Sequence, residues 1–205
     1  MKKLVLTSIA TLAVAVGAFA QGIINLDNST TAYGVTTGGS SFYSGPFGMQ
    51  IWELSGATAV PSGINGAGPA AAYAALGTDS FKSEGIVSGT MSGGAFSLGN
   101  FTMADVTPPG SQVVLGLAVW NSTAASWAAN AALSGTPMGG VIAFLNPTVA
   151  PVTSGPPPVG ADMNGPWTTA GQNLVMGAVT TIPEPGTLAL AGLGVAALLI
   201  FRRRK

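Results

Sequence analysis

The chain has 205 residues, seven basic and seven acidic, with 47% hydrophobic residues and neither cysteine nor histidine. Those two absences exclude a disulfide framework, a thiol nucleophile, a thiolate or imidazole metal site and any triad that needs an imidazole base. Six of the seven basic residues lie at the two ends, so residues 21–182 hold Lys82 alone against Asp27, Glu53, Asp79, Glu84, Asp105 and Asp162. That net charge of −5 is repelled by a phosphate backbone, which argues against nucleic acid as a partner.

In chain order, Met1-Lys2-Lys3 is a basic start and Leu4 to Val16 an apolar stretch. Ala18-Phe19-Ala20 is a small-x-small cleavage site. Residues 1–20 therefore read as a signal peptide passed through the Sec translocon, cut by signal peptidase between Ala20 and Gln21.

Residues 21–182 read as one β-rich domain, with enough chain for a core of its own. Gly22 to Asn28 is a first strand ending in turn residues, and Phe47 to Leu54 a second. In the latter, Phe47, Met49 and Ile51 alternate with Gln50 and Trp52. Gly85 to Ser92 and Ala95 to Met103 read as a hairpin around Gly93-Gly94. Gln112 to Asn121 is the most apolar strand: Val113, Leu115, Leu117 and Val119 on one face, Val114, Gly116, Ala118 and Trp120 on the other. Two apolar faces predict a central strand covered on both sides. Asn121-Ser122-Thr123, then Ala124 to Leu133 and Gly135, predict a short alanine-rich helix with a cap and a glycine stop. Gly140 to Leu145 and Asn173 to Thr181 complete the strands. Gly56 to Thr78 and the proline-rich Asn146 to Trp167 read as loops. The predicted class is all-β: an antiparallel β-sandwich with a jelly-roll-like arrangement as the first expectation.

The last residues form a three-part tail. Pro183-Glu184-Pro185 holds the backbone extended and offers its peptide bonds to an enzyme that grips strand-like substrates. Thr187 to Phe201 carries no charge and reads as a transmembrane helix. At 1.5 Å per residue it spans about 22 Å, shorter than the roughly 30 Å hydrocarbon core, a deficit that snorkelling basic side chains and local thinning can cover. Arg202, Arg203, Arg204 and Lys205 form a cytoplasmic stop.

This tail resembles the PEP-CTERM sorting signal of Gram-negative bacteria. The resemblance implies a substrate of an exosortase, a membrane-embedded cysteine protease. It makes Pro183, Glu184 and Pro185 recognition residues acted on by that enzyme, and the membrane a transient anchor. An ordinary C-terminal anchor behind a proline-rich hinge is the alternative reading.

Chemistry is sparse in the body. Ser80-Phe81-Lys82-Ser83 offers a Ser-Lys dyad without a reason for a desolvated lysine. Glu53, Glu84 and Asp105 are the available carboxylates for glycan hydrolysis, but nothing in their spacing brings two together, so they read as solvated charges. Asp27-Asn28 and Asp162-Met163-Asn164 read as turn residues in preference to a Ca²⁺ loop. Tyr33, Phe42, Tyr43, Trp52 and Trp167 are side chains of the sugar-stacking type, with Tyr43, Trp52 and Trp167 the candidates for a carbohydrate platform. Packing is the competing role, above all for Trp52 and Trp120. The resulting expectation is an exported, non-enzymatic surface or matrix protein with no cofactor and no metal, associated with extracellular polysaccharide. A displayed carbohydrate-binding module is the first alternative and a glycan hydrolase the second.

Overall fold

The computed structural model describes residues 21–38, 40–106, 108–151, 156 and 158–179. Ala18, Ala20, the Pro183-Glu184-Pro185 segment, the apolar span 187–201 and Arg202 to Lys205 lie outside them. Among the described residues no helix is long and apolar enough to cross a membrane.

The described chain forms β1 (Gly22–Asp27), β2 (Val35–Thr37), β3 (Ser41–Phe42), β4 (Gly45–Ser55), α1 (Pro69–Thr78), β5 (Lys82–Met91) and β6 (Ser97–Met103). β7 (Val113–Trp120), α2 (Trp127–Ala131), β8 (Met138–Asn146), β9 (Ala161–Asp162), α3 (Asn164–Ala170) and β10 (Leu174–Ala178) follow. Seven strands make one sheet in the order β3-β2-β10-β8-β7-β4-β5, and three make a second in the order β6-β1-β9. One apolar cluster fills the space between them. Ile24 and Leu26 of β1 and Met103 of β6 meet Phe47, Met49 and Ile51 of β4, Leu115 and Leu117 of β7, and Phe144 of β8.

The β-rich class and every strong strand are found where the alternation put them. The antiparallel, jelly-roll-like expectation is corrected: β9 runs parallel to β1 and β2 parallel to β10. A seven-stranded and a three-stranded mixed sheet are not the paired antiparallel sheets of a jelly roll.

β7 has all eight residues buried. Its second face is covered by α1, α2 and the chain around Ile64, through Leu76, Trp120, Trp127 and Phe81. Tyr73 of α1 stacks on Trp127 of α2 at 4.5 Å between ring centroids, and Trp52 and Trp120 meet that pair edge-on. Gly48 makes room for the Trp120 ring, which stands where a Cβ would be.

Four local expectations need correction. α1 lies inside a stretch read as loop; Pro69 begins it, where the missing N–H is harmless, and the alanine run sustains it. The second helix is only Trp127–Ala131, and its cap is Ser126, which accepts the Ala129 N–H. The proline-rich stretch contains β9 and the start of α3. The predicted hairpin keeps its Gly93-Gly94 turn, with both glycines at positive φ, but only Ser92 and Ala95 bridge. Its arms then part, β5 to β4 and β6 to β1. The cause is Asn28, buried at the end of β1. It donates to Gly94 O at 3.1 Å and accepts the Phe96 N–H at 2.7 Å, drawing the second arm into the other sheet.

Candidate functional site

The alternation that buries Phe47, Met49 and Ile51 also turns Glu53 inward, since side chains two apart share a face. Glu53 is 1% exposed, which corrects the reading of a solvated charge at this position. One of its oxygens accepts the Ser55 hydroxyl at 2.7 Å; the other, Oε1, is buried without a partner. β5 pairs with β4 so that Lys82 stands opposite Glu53, after an irregularity between Ile51 and Trp52. Lys82 reaches Asp105, just past β6, at 3.6 Å, both side chains being more than half exposed. Glu84 accepts the backbone N–H of Ala104. Three carboxylates and the one lysine of residues 21–182 thus meet at one end of the sandwich, although they are spread over more than fifty positions of sequence.

Burial is the first cause that raises the Glu53 carboxyl above its ordinary value; Ser55 opposes it, Glu84 and Asp105 add to it, and Lys82 relieves it. Glu84 is raised as well, first by burial, with the Ala104 N–H opposing and Asp105 adding. Raised carboxyls are the raw material of acid catalysis. Here the more buried one is sealed from solvent, and Glu84 is tied to the Ala104 N–H. The Ser-Lys pairing is not formed either: Lys82 faces Asp105, and Ser83 accepts from Gln50 Nε2 at 2.7 Å.

Of the aromatic candidates, Tyr43 and Trp52 are half-buried and Trp167 is withdrawn from the surface. Trp167, expected among exposed side chains, is fully buried against Phe96 and Phe144, and its indole N–H donates to Gln172 O at 3.0 Å. Trp52 packs edge-on to Tyr73, and the Tyr43 hydroxyl donates to Pro46 O at 2.6 Å. Phe42 on β3 is the aromatic that stays exposed, at 54%. The Asx positions act in turns: Asp27 accepts the Ser29 N–H and the Ser97 hydroxyl, and Asp162 accepts both the N–H and the amide of Asn164.

At the two ends of the body the strands stop beside the predicted processing segments. Gln21, the expected first residue after signal cleavage, immediately precedes β1. β10 ends at Ala178, and Val179 is held by its N–H to Pro137 O at 2.9 Å. Two residues further on, residues 181–205 match the family model of the PEP-CTERM protein-sorting motif. The chain therefore carries that motif, as the Pro-Glu-Pro, apolar and basic succession predicts. The motif marks an exported protein with a membrane-anchored precursor, and it implies an exosortase as the processing partner. No curated protein and no solved structure matches the chain.

Proposed function

We infer that this is an exported, non-catalytic surface or matrix protein of a Gram-negative bacterium, with a structural role beside extracellular polysaccharide. The Sec translocon and signal peptidase release Gln21 as the new N-terminus. The apolar span and Arg202 to Lys205 then hold the precursor in the inner membrane. The exosortase recognises Pro183, Glu184 and Pro185 and cuts near them, which frees the folded body for the cell surface. The observation that carries this reading is the sorting motif at residues 181–205, two residues beyond Val179, whose N–H donates to Pro137 O. A non-catalytic role is supported by the lack of histidine and cysteine and by the sealed position of Glu53.

Mass spectrometry of the protein recovered from its own cells tests the route. The expected C-terminal peptide ends near Pro185 and lacks Arg202 to Lys205. Full-length chain in the inner membrane, with no shortened form at the surface, would overturn it. Retention on the host's polysaccharide that is lost on Tyr43→Ala or Trp52→Ala would move the reading to a carbohydrate-binding module.

A further inference from the structure

The chain holds two Asn-Gly pairs, Asn65-Gly66 and Asn164-Gly165, and the fold treats them differently. β10 pairs with β8 only at Met138 and Gly139, while β7 covers the other edge of β8 as far as Asn146. At Ala143 the Asn65 side chain takes the place of a neighbouring strand. Its Nδ2 donates to Ala143 O at 2.8 Å, and its Oδ1 accepts the Ala143 N–H at 2.9 Å. Those two bonds tie the loop before α1 to the sheet. Ile64 beside them is fully buried, but Asn65 and Gly66 are exposed, and Gly66 has φ +80° with open space where a Cβ would stand. Two cavities flank the contact along β8. One of about 540 Å³ is bounded by Val60, Asn65, Ala143 and Leu145, and one of about 510 Å³ by Gly66, Pro69 and Val141. Asn164-Gly165 instead begins α3, where the Asn164 N–H and amide both donate to Asp162 and the Trp167 N–H closes the first turn on Met163 O.

We propose that Asn65-Gly66 is a self-modifying latch, in which deamidation of Asn65 by the adjoining backbone nitrogen releases this loop from β8. Asparagine before glycine is the pair most open to that reaction, because no side chain shields the attacking nitrogen or restricts the backbone angles it needs. The Gly66 nitrogen attacks Asn65 Cγ. An N–Cγ bond forms, the Cγ–Nδ2 bond breaks, and Nδ2 leaves as ammonia with the Gly66 proton. Water, the sole co-reactant, then opens the cyclic imide at either carbonyl and leaves aspartate or isoaspartate. While the latch is closed, Cγ is turned towards Ala143, so attack waits until both bonds open. An exposed loop held by two bonds opens at small free-energy cost. At Asn164 the helical backbone fixes the Gly165 nitrogen away from the side chain, so the same attack requires the first turn of α3 to come undone. The product cannot close the latch again. A carboxylate still accepts the Ala143 N–H, but it has no proton for Ala143 O, and two acceptors then face each other. Isoaspartate also adds a methylene to the main chain ahead of Gly66. With the loop released, the two cavities join along β8.

The test follows the full chain, purified in detergent and held at alkaline pH, by mass spectrometry of its peptides at intervals. The peptide carrying Asn65 is expected to gain one dalton and to separate into aspartate and isoaspartate forms, while the peptide carrying Asn164 stays unchanged over the same period. In strong denaturant both should convert at comparable rates, which assigns the difference to the fold. Asn65→Asp reports the released state directly. Amide hydrogen exchange at Ala143 should quicken at least about tenfold in that variant, while exchange along β7, which Asn65 does not touch, should keep its wild-type rate. Conversion of Asn164 as fast as that of Asn65 in the folded chain, an Asn65 that stays intact, or unaltered exchange at Ala143 in Asn65→Asp overturns the proposal.

Discussion

Replacing Glu53 by Gln should stabilise the protein at neutral pH, an unusual direction for a change at a buried position. Glu53 Oε1 is sealed without a partner while Oε2 takes the Ser55 hydroxyl. Leaving a buried polar atom unmade costs about 1–3 kcal/mol, and more when the group is charged. Gln keeps the shape, still accepts from Ser55, and removes the charge that Glu84 and Asp105 repel. Its new N–H₂ needs acceptors, and those same carboxylates lie within electrostatic reach. The net gain is about 1 kcal/mol at neutral pH, or roughly 3 °C in Tm for a domain of this size.

The pH dependence separates this mechanism from a simple packing effect. Burial holds the Glu53 proton to a higher pH in the folded state than in the unfolded chain, whose carboxyl titrates near 4.5. The folded state therefore binds more protons across that window, and wild-type stability falls as pH rises through it. Below it both states are protonated, and the gap between wild type and Glu53→Gln should close. Urea denaturation from about pH 4 to about pH 8 measures both curves. A smaller slope persists in the variant because Glu84 is raised as well. A variant less stable than wild type at neutral pH, or a gap that does not change with pH, would refute the reasoning.

Three further outcomes are expected. Asn28→Ala removes two buried hydrogen bonds, to Gly94 O and from the Phe96 N–H, and should cost about 2–3 kcal/mol in urea denaturation. Gly48→Ala would place a Cβ 2.3 Å from Trp120 Nε1. The ring or β4 must shift, which should cost about 1–3 kcal/mol and alter the near-ultraviolet dichroism of the tryptophan cluster. Deleting Thr180 to Ile182 cuts the greatest covalent reach from Val179 to Glu184 from about 18 Å to about 7 Å. Because Val179 is pinned to Pro137, immunoblots of host membranes should show uncut precursor, and a three-residue Gly-Ser replacement should restore processing.

The parts of this fold that can be read from sequence are those written in side-chain period. β4 and β7 alternate cleanly, and two apolar faces on β7 announce layers on both sides. The same alternation holds the signal for Glu53, two residues beyond Ile51 on the inward face, but carboxylates are so seldom buried that the charge outweighs the pattern. α1 has a legible start in Pro69 and a legible body in its alanines. Small side chains occupy all sides of that helix, so no apolar stripe stands out against a polar one, and its composition resembles that of a loop. β2, β3 and β9 span two or three residues each, too short for any period to show.

The broken hairpin shows why topology is harder to read than strand positions. Gly93-Gly94 is a proper turn signal and does form the turn, but a turn fixes only the residues it contains. Whether the arms stay together depends on what else competes for them, and the Asn28 amide offers Phe96 and Gly94 partners from across the sandwich. These contacts stand at the head of the β1–β6 ladder, where the arms part and β6 joins β1 while β5 joins β4. The carboxylate cluster has the same origin: Lys82 and Glu84 stay on the sheet of Glu53 while β6 carries Asp105 back to them from the other sheet. Local chemistry placed each charge on its strand, and the divergence of the two arms decided which charges would meet.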